Sequence, residues 1–326
     1  MNKNICTLAV LSSLSFSAMA VDCDPNLLPS WKDGASKTEI TEFVSQSTDK
    51  SQNTFIPEKD RIAVFDNDGT LWSEKPYYYQ LAFAFDQVKS MADQHPEWSA
   101  EEPFKSVLKN DIPSVFRGGE KALLKIVTAT HSGVTVEEYQ SRVATWLEAA
   151  KDPRFSKAYT DLTYKPMREM LNYLQDNGFK TYIVSGGGVD FMRVWAPDVY
   201  NIPQEQIIGS ALKYQYDYND GNPTVTKLNE ILSIDDKEVK VENIQHVIGK
   251  KPVLAVGNSD GDHAMMQWAT SQPNSMAMIV HHTDKDREWQ YDRKSSVGHL
   301  DKAMDEANKR NNWHLIDMKN DWCTVY

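Results

Sequence analysis

The sequence predicts an α/β protein with a mainly parallel sheet and a helical unit inserted between two of its strands. Short apolar runs at residues 62–65, 180–184 and 252–256 have the composition of buried strands, and each is followed by polar residues or glycine. Between the first two runs, residues 76–160 show helical periodicity and are too long for a simple crossover connection. We therefore expect a core built around the sheet and a separate helical insertion.

The expected boundaries assign residues 21–75 and 161–326 to the α/β core and residues 76–160 to the helical insertion. Within the insertion, apolar positions at helical spacing predict three helices, at residues 77–91, 120–130 and 136–149. The first element after the insertion is predicted as an amphipathic helix over residues 164–177, which ends at Gly178.

The first 20 residues have the three parts of a secretory signal peptide. Lys3 gives a short positive start, residues 8–16 are apolar and rich in serine, and Ala18 and Ala20 provide small residues for cleavage after Ala20. The apolar stretch is too short to span a bilayer. We expect a mature protein that begins at Val21, has no membrane anchor and is periplasmic or secreted.

Removal of such a signal peptide leaves Cys23 and Cys323, one near each end of the mature chain. In an oxidising compartment these two thiols can form a disulfide, and two unpaired thiols are the alternative. The spacing of the cysteines is not that of a metal site.

The composition disfavours some binding functions. The chain has 35 basic and 46 acidic residues, a formal net charge of −11, which makes nucleic acids and anionic membranes poor partners. A protein with this charge can attract a phosphate group only through local features of its binding site.

The most informative segment follows the first predicted strand, where two aspartates stand two positions apart. Asp66 and Asp68 come directly after the apolar run, and Gly69 allows a sharp turn. Because ligands collect at the carboxyl ends of the strands in an open α/β sheet, we expect both carboxylates to face one crevice. Two adjacent carboxylates repel each other unless a cation or a shared proton lies between them. Mg²⁺ fits this need because it prefers oxygen ligands.

The run Asp66-Asn67-Asp68-Gly69-Thr70 resembles the first motif, D-x-D-x-[TV], of the haloacid dehalogenase superfamily of phosphatases. The resemblance implies a Rossmann-like, three-layer α/β/α core. It also implies that the helical insertion is the cap of the phosphoserine-phosphatase-like branch, and that three further motifs follow in a fixed order.

The second motif is similar to the turn Ser185-Gly186-Gly187-Gly188, which follows the second predicted strand. The resemblance implies that Ser185, Gly186 and Gly187 bind the phosphate group of the substrate. A helix predicted over residues 190–195 would direct its N-terminal amides at the same phosphate oxygens.

The fourth motif, G-[DN]-x-x-x-D, is similar to the run Gly-Asn-Ser-Asp-Gly-Asp after the third predicted strand. The resemblance implies that Asn258 is a Mg²⁺ ligand together with Asp66 and Asp68. Asp262 is expected as a direct or an indirect ligand, and Asp260 is a less favoured alternative. The neutral Asn258 stands at the first acidic position of this motif, which leaves the identity of the third ligand open.

The third motif is a lysine upstream of that strand. Lys240 fits best, because it stands in the intervening predicted helix, and Lys237 is the alternative. Lys250 and Lys251 precede the strand, at its opposite end, and are expected to be surface charges.

The resemblance implies a Mg²⁺-dependent phosphatase that acts on a small phosphomonoester. Asp66 would attack the phosphorus and form an aspartyl-phosphate, Asp68 would be the general acid and base, and Ser185 and Lys240 would stabilise the transferring group. Three alternatives remain: phosphoryl transfer to an acceptor other than water, dehalogenation of a haloacid, and a catalytically silent binding protein on the same scaffold.

Two adjacent histidines, His281 and His282, follow a predicted strand at residues 276–280. The carboxyl end of this strand would lie at the same edge of the sheet as the aspartates. A pair of solvent-facing histidines is nevertheless the expected arrangement.

Overall fold

The computed structural model describes Cys23 and residues 26–326. The predicted signal peptide, with its cleavage site at Ala20, lies outside the described residues. In the part that is described, no helix has both the length and the apolar character needed to cross a membrane.

A mainly parallel sheet organises the described residues and confirms the predicted α/β class. Its eight strands are β1 (Ile62–Phe65), β2 (Lys180–Gly188), β3 (Ile207–Asn219), β4 (Asn222–Ser233), β5 (Leu254–Gly257), β6 (Met276–Thr283), β7 (Gln290–Tyr291) and β8 (Trp313–Asp317). The order along the sheet is β4-β3-β2-β1-β5-β6, and both β7 and β8 pair with β6. The pairs β3–β4 and β6–β7 are antiparallel, and the other pairs are parallel.

Thirteen α-helices accompany the sheet in the described residues. They are α1 (Ala35–Thr48), α2 (Tyr79–Met91), α3 (Phe104–Leu108), α4 (Ile112–Arg117), α5 (Gly119–His131), α6 (Val136–Ala149), α7 (Lys165–Asp176), α8 (Val189–Met192), α9 (Ala196–Tyr200), α10 (Glu238–Val247), α11 (His263–Ala269), α12 (Lys302–Ala307) and α13 (Met318–Asp321). The predicted helices at residues 77–91, 120–130, 136–149 and 164–177 correspond to α2, α5, α6 and α7.

The central strands β1 and β5 are buried on both faces, which makes the core three layers deep. In β1, Ala63 and Phe65 belong to an apolar cluster that includes side chains of α1 and α7. The alternate residues, Ile62 and Val64, belong to a second cluster with side chains of α10, α11 and α12. Because successive side chains of a strand point to opposite faces, one short apolar run serves both layers.

Helices α2 to α5 of the insertion form an apolar cluster of their own, and α2 and α6 join the main cluster of the core. Leu81, Phe85 and Val88 of α2 pack with side chains of α3, α4 and α5. The other side of α2, including Phe83, packs with α6 against the main cluster. The start of α6 is fixed by a capping box, in which Thr135 and Glu138 exchange side-chain-to-backbone hydrogen bonds of 3.1 Å.

A long hairpin, β3–β4, was not predicted from the sequence. Its turn is formed by Asp220 and Gly221, which both have positive φ angles, of 51° and 84°. The hairpin meets the helical insertion, because the amide of Gly133 donates to the carbonyl of Lys227 at 2.8 Å and the amide of Lys227 donates to the carbonyl of Val134 at 2.9 Å.

The two ends of the described chain are joined. Cys23 and Cys323 form a disulfide with a Cα–Cα distance of 6.4 Å, so the pairing alternative is the one that the structure adopts. Nearby, the amide of Cys323 donates to the carbonyl of Ser30 at 2.8 Å, and the Trp31 and Trp322 rings pack edge to face.

Candidate active site

The loop after β1 turns at Gly69, and only glycine fits there. Gly69 has a φ of +77°, in the left-handed region that favours glycine. A Cβ at this position would lie 2.1 Å from Nδ2 of Asn258 and 2.5 Å from Oε1 of Glu74. The absence of a side chain therefore lets the loop that carries Asp66 and Asp68 pack directly against the loop after β5.

Lys240, near the start of α10, connects three parts of the site. Its Nζ donates to Oδ1 of Asp66 at 2.7 Å, to Oδ1 of Asp262 at 2.6 Å and to the carbonyl of Val184 at 2.8 Å. The side chain is only 2% exposed, whereas that of Lys237 is 65% exposed and lies 3.5 Å from Asp236. The structure thus brings Lys240, and not Lys237, to the aspartates.

Asp262 holds both Lys240 and the loop after β5. Its Oδ1 accepts from Lys240, and its Oδ2 accepts from the amides of Asn258 at 3.0 Å and Ser259 at 3.1 Å. Because one oxygen of Asp262 already binds a cation, the Lys240 ammonium, and the other binds two backbone amides, this geometry fits the indirect role better than direct metal ligation. Asp260 points elsewhere, since its carboxylate accepts the amides of Asp301, Lys302 and Ala303 at the start of α12.

Asn258 lies between the two loops. Its Oδ1 accepts from the hydroxyl of Thr70 at 3.2 Å, and its Nδ2 donates to Oε1 of Glu74 at 2.8 Å. The same Glu74 oxygen accepts from the hydroxyl of Tyr291 at 2.7 Å. Glu74 is 1% exposed and was not predicted as a site residue.

Asp68 is held by two donors. Nε1 of Trp72 donates to its Oδ1 at 2.9 Å, and the hydroxyl of Ser185 donates to its Oδ2 at 3.4 Å. Burial raises the pKa of Asp68, although these two hydrogen bonds act in the opposite direction. A raised pKa favours the protonated form, which is the form that a general acid needs.

The glycine-rich turn after Ser185 differs from its prediction. Strand β2 continues to Gly188, with a register shift against β3 between Ser185 and Gly188. The helix predicted at residues 190–195 is present but begins earlier and is shorter, since α8 spans Val189–Met192. The amide of Gly187 donates to Oγ of Ser185 at 3.1 Å, and the amide of Gly188 donates to Oε1 of Gln80 at 2.6 Å. Gln80 belongs to α2, so the helical insertion contacts this turn directly.

The site has an excess of negative charge. Burial raises the pKa of Asp66 well above its usual value, and Asp262 raises it further, against the lowering effect of Lys240. Burial also raises the pKa values of Asp68 and Glu74. Among the described residues, Lys240 is hydrogen-bonded to two of these four carboxylates, Asp66 and Asp262. If all of these carboxylates are to be ionised together, a further cation has to lie among them.

The oxygen donors at the site fit Mg²⁺. Asp66, Asp68 and Asn258 lie on two adjoining loops and provide carboxylate and amide oxygens. Within residues 26–326, no three His, Cys, Asp or Glu side chains are grouped as a metal site. Mg²⁺ does not need such a group, because it binds through one or two carboxylates and keeps several waters.

Comparison with known proteins agrees with this geometry. Residues 63–267 match the family model described as haloacid dehalogenase-like hydrolase. The chain belongs to this family of hydrolases. No curated protein matches it significantly.

Several solved structures match the hydrolase at low sequence identity. A functionally unknown protein from Anaerococcus prevotii DSM 20548 is 15% identical, with a TM-score of 0.57, and the match covers 86% of this chain and 91% of that one. A protein of unknown function from Bordetella pertussis Tohama I is 11% identical, with coverages of 79% and 98% and a TM-score of 0.48. A phosphoserine phosphohydrolase-like protein from Francisella tularensis subsp. tularensis SCHU S4 is 16% identical, with coverages of 68% and 87% and a TM-score of 0.38.

Three residues of the hydrolase site escaped the sequence analysis. Glu74 packs on Asn258, Trp72 donates to Asp68, and Gln80 accepts from the turn after Ser185. Each lies within the 14 residues that follow the first motif residue Asp66. Their nearness in sequence is the only available signal, since their roles depend on contacts with distant segments.

The expectation for His282 was wrong, because this side chain is 2% exposed. Its Nδ1 lies 3.0 Å from Oε2 of Glu288, and its Nε2 lies 2.7 Å from the carbonyl of Gly69. Both partners are hydrogen-bond acceptors. His282 thereby fastens the Gly69 turn to Glu288, whose other oxygen accepts from the hydroxyls of Ser73 and Tyr164. His281 is half-buried, 3.6 Å from Asp292.

We expect Glu288→Gln to destabilise the hydrolase by about 1–3 kcal/mol at pH 7, because a charge-assisted hydrogen bond is lost from a buried network. Burial alone would raise the pKa of Glu288, but the His282 charge and the hydrogen bonds from His282 and Ser73 hold it below 4.5. A lowered carboxyl pKa contributes stability above the unfolded-state pKa and loses it as the pH falls through the folded-state pKa.

Urea unfolding of both proteins at pH 7 and at several pH values below 4.5 tests this expectation. The stability difference between wild type and Glu288→Gln should shrink as the pH falls. The exposed Glu148→Gln substitution is the control and should change stability by less than about 0.5 kcal/mol at each pH. A difference that grows on acidification would contradict the proposed charge state of Glu288.

Proposed function

We propose that this hydrolase is a Mg²⁺-dependent phosphatase that cleaves small phosphomonoesters through an aspartyl-phosphate on Asp66. The observation that carries the proposal is the buried contact of Asp66 with Lys240, beside a second aspartate, Asp68, of raised pKa. This combination provides a nucleophile, a cation and a proton donor at the same end of the sheet.

In the first half of the reaction, Asp66 attacks the phosphorus in line with the leaving alcohol. Lys240 binds Oδ1 of Asp66, which leaves Oδ2 as the attacking oxygen. As the bond from phosphorus to the ester oxygen breaks, Asp68 gives its proton to that oxygen, and the alcohol leaves. The products of this half are the free alcohol and a phosphorylated Asp66.

In the second half, Asp68 takes a proton from a water molecule, which attacks the phosphorus and displaces Asp66. The phosphate leaves, and Asp66 and Asp68 return to their starting states. Ser185 and the backbone of Gly186 and Gly187 would hold the phosphoryl oxygens, a role that fits their position beside Asp68. Positioning and charge stabilisation supply most of the catalysis in phosphoryl transfer.

Asp66, Asp68 and Asn258 would hold the Mg²⁺ ion, and Asp262 would act indirectly by fixing Lys240 and the Asn258 amide. The ion, when bound, would neutralise charge on the phosphoryl oxygens. Glu74 lies beside Asn258 and would orient its side-chain amide.

The test is release of inorganic phosphate from a panel of phosphomonoesters by the purified mature protein. We expect turnover of at least one class of ester and no halide release from haloacetates. Phosphate transfer to added alcohols, measured in the same assays, distinguishes a phosphotransferase from a phosphatase. Halide release without phosphate release would overturn the proposal, and metal binding without any turnover would support a silent binding protein.

Activity should disappear in EDTA and return with Mg²⁺. Asn258→Ala should raise the Mg²⁺ concentration needed for half-maximal activity by about 10-fold or more, since it removes a ligand oxygen. Asp260→Asn is the matched control and should leave this concentration unchanged, because Asp260 binds the amides at the start of α12 instead. If Asp260→Asn has the larger effect, the third ligand has been misassigned.

We also propose that the protein is exported and processed at Ala20, because a disulfide between Cys23 and Cys323 is typical of oxidising compartments. Protein recovered from the periplasm should have the mass of a chain that begins at Val21. Alkylation without reduction should add nothing to that mass. Two added alkyl groups, or retention of Met1, would contradict this expectation.

A further inference from the structure

A cavity of about 310 Å³ lies above the aspartates and extends into the helical insertion. Its floor includes Asp66, Asp68 and Lys240, and its walls come from α2, α5, α8 and the β3–β4 hairpin. A phosphate group bound at the floor leaves the alcohol part of the ester within these walls. The walls therefore determine which alcohols fit.

Most of the wall facing away from the aspartates is apolar. It is formed by side chains from four elements: Leu123, Leu124 and Val127 of α5, Phe191 of α8, Leu212 of β3 and Ile231 of β4. An apolar group that enters the cavity leaves water and is stabilised in proportion to the surface that it buries.

The charged side chains of the inner wall are already paired. Lys227 and Asp190 form an ion pair, and each is about 4% exposed. The hydroxyl of Tyr214 donates to Asp190 at 3.0 Å, and Nζ of Lys227 lies 4.6 Å from the centre of the Tyr139 ring. This ion pair presents no net charge to a ligand.

The nearby His131 is also neutral. Burial lowers its pKa to about 3, and the charge of Lys227 adds to this effect. Its Nδ1 is 2.8 Å from Oγ1 of Thr130, and its Nε2 has no hydrogen-bond partner. The inner wall thus has no net charge and is largely apolar.

A second anionic group on the substrate has no partner in this cavity. No arginine is among the described residues that line it, and its two lysines, Lys227 and Lys240, are each bound to carboxylates. Two further acids, Glu120 and Asp236, also line it. Burial of an unpaired carboxylate or second phosphate here would be strongly unfavourable.

We infer that the hydrolase selects phosphomonoesters of uncharged alcohols with an apolar body, which binds against α5 and the β3–β4 hairpin. The inference rests on the proposed phosphatase function and adds the substrate class. Esters whose alcohol carries a carboxylate or a second phosphate are rejected.

A series of alkyl phosphates tests this inference directly. Between ethyl, butyl and hexyl phosphate, kcat/KM should rise about two- to fourfold per added methylene until the cavity is filled. The matched charged substrate is 6-phosphonooxyhexanoate, which has the same chain length as hexyl phosphate and a carboxylate far from the reacting bond. Its kcat/KM should be at least about tenfold lower than that of hexyl phosphate.

Substitutions of Leu124, which is half-buried and lines the cavity, provide the second test. Leu124→Ala should lower the ratio of kcat/KM for hexyl phosphate to that for ethyl phosphate. Leu124→Lys should raise the relative use of 6-phosphonooxyhexanoate, because it supplies a cation. The exposed Lys121→Ala substitution, on the same helix, is the control and should leave both ratios unchanged.

The possible results separate the inference from the proposed function. Equal use of ethyl and hexyl phosphate, or preference for the carboxylate substrate, would overturn the inference and leave the phosphatase function intact. If no ester releases phosphate, the proposed function fails. In that case calorimetry with ethyl- and hexylphosphonate decides the inference: tighter binding of the hexyl compound supports it, and equal binding overturns it.

Discussion

Replacing Asp66 with Asn should reduce phosphatase turnover by about 10⁴–10⁶-fold and leave the protein folded, because it removes the oxygen that we propose attacks the phosphorus. The amide oxygen of Asn can still accept the hydrogen bond that Lys240 gives to Oδ1 of Asp66. Burial and the neighbouring Asp262 raise the pKa of Asp66, so the native carboxylate is held at a cost in stability. We therefore expect the melting temperature of Asp66→Asn to be unchanged or higher.

The matched control is Asp68→Asn, the same change two positions along the same loop. It keeps the proposed nucleophile and removes the group that transfers the proton. General acid–base catalysis contributes about 10²–10⁴-fold to the rate, so we expect turnover to fall by about this factor. With p-nitrophenyl phosphate, whose leaving group needs little protonation, this variant should still become phosphorylated and should then hydrolyse slowly.

Rapid-quench labelling with a radioactive phosphate ester distinguishes the two variants. Asp68→Asn should accumulate an acid-stable, hydroxylamine-sensitive phosphoenzyme, and Asp66→Asn should form none. A hydroxylamine-sensitive label on Asp66→Asn would show that the nucleophile lies elsewhere. A label that is absent from both variants and from the wild type would contradict the covalent mechanism.

The residues at the ends of β1, β2 and β5 could be predicted because each follows a recognisable sequence pattern. Each strand is a short apolar run, and the polar or glycine residues that follow it stand at the sheet edge where ligands collect. Asp66, Ser185 and Asn258 were found in this way. The structure places Asp66 and Ser185 in one cavity and packs Asn258 against Thr70, on the loop that carries Asp66. Burial on both faces makes such strands easy to recognise.

The β3–β4 hairpin was missed although the sequence contains its signal. Asp220-Gly221 is a dipeptide typical of hairpin turns, and Tyr214, Tyr216 and Tyr218 alternate with polar residues before it. These residues are only partly covered by the rest of the protein, so they lack the apolar run that marked the core strands.

Other features could not be predicted, because they depend on partners that are distant in the chain. His282 is buried because Glu288 and the carbonyl of Gly69 both accept from its ring, and Gly69 is 213 residues away. The role of Glu74 similarly requires Asn258, which is 184 residues away. An oxidising compartment is compatible with either paired or unpaired Cys23 and Cys323. They pair because the two ends of the described chain lie close together, which the sequence does not show.

Replacing Lys240 with Met should both inactivate the protein and destabilise it. The ammonium group binds Asp66 and Asp262, and all three groups are less than 10% exposed. Removal of one partner leaves two carboxylates buried without their cation, a loss of about 3–5 kcal/mol for a buried pair. Loss of one preorganised donor of this kind also lowers kcat by about 10²–10³-fold.

The stability loss should depend on pH in a defined direction. Without Lys240, the neighbouring carboxylates should have folded-state pKa values raised further above their unfolded values. A carboxyl group with a raised folded-state pKa binds more protons when folded, so its contribution to stability falls as the pH rises. Lys240→Met should therefore lose more stability at pH 7 than at pH 5, relative to the wild type.

Two companion variants separate charge from shape. Lys240→Met/Asp262→Asn removes one of the two uncompensated charges and should recover part of the lost stability at pH 7, but none of the lost activity. Lys237→Met, also at the start of α10 but 65% exposed, should change the free energy of unfolding by less than about 0.5 kcal/mol. Urea denaturation at both pH values and phosphate-release assays measure all three proteins. A Lys240→Met variant with wild-type turnover, or one that is more destabilised at pH 5, would contradict the role assigned to this lysine, whose ammonium group binds both Asp66 and Asp262.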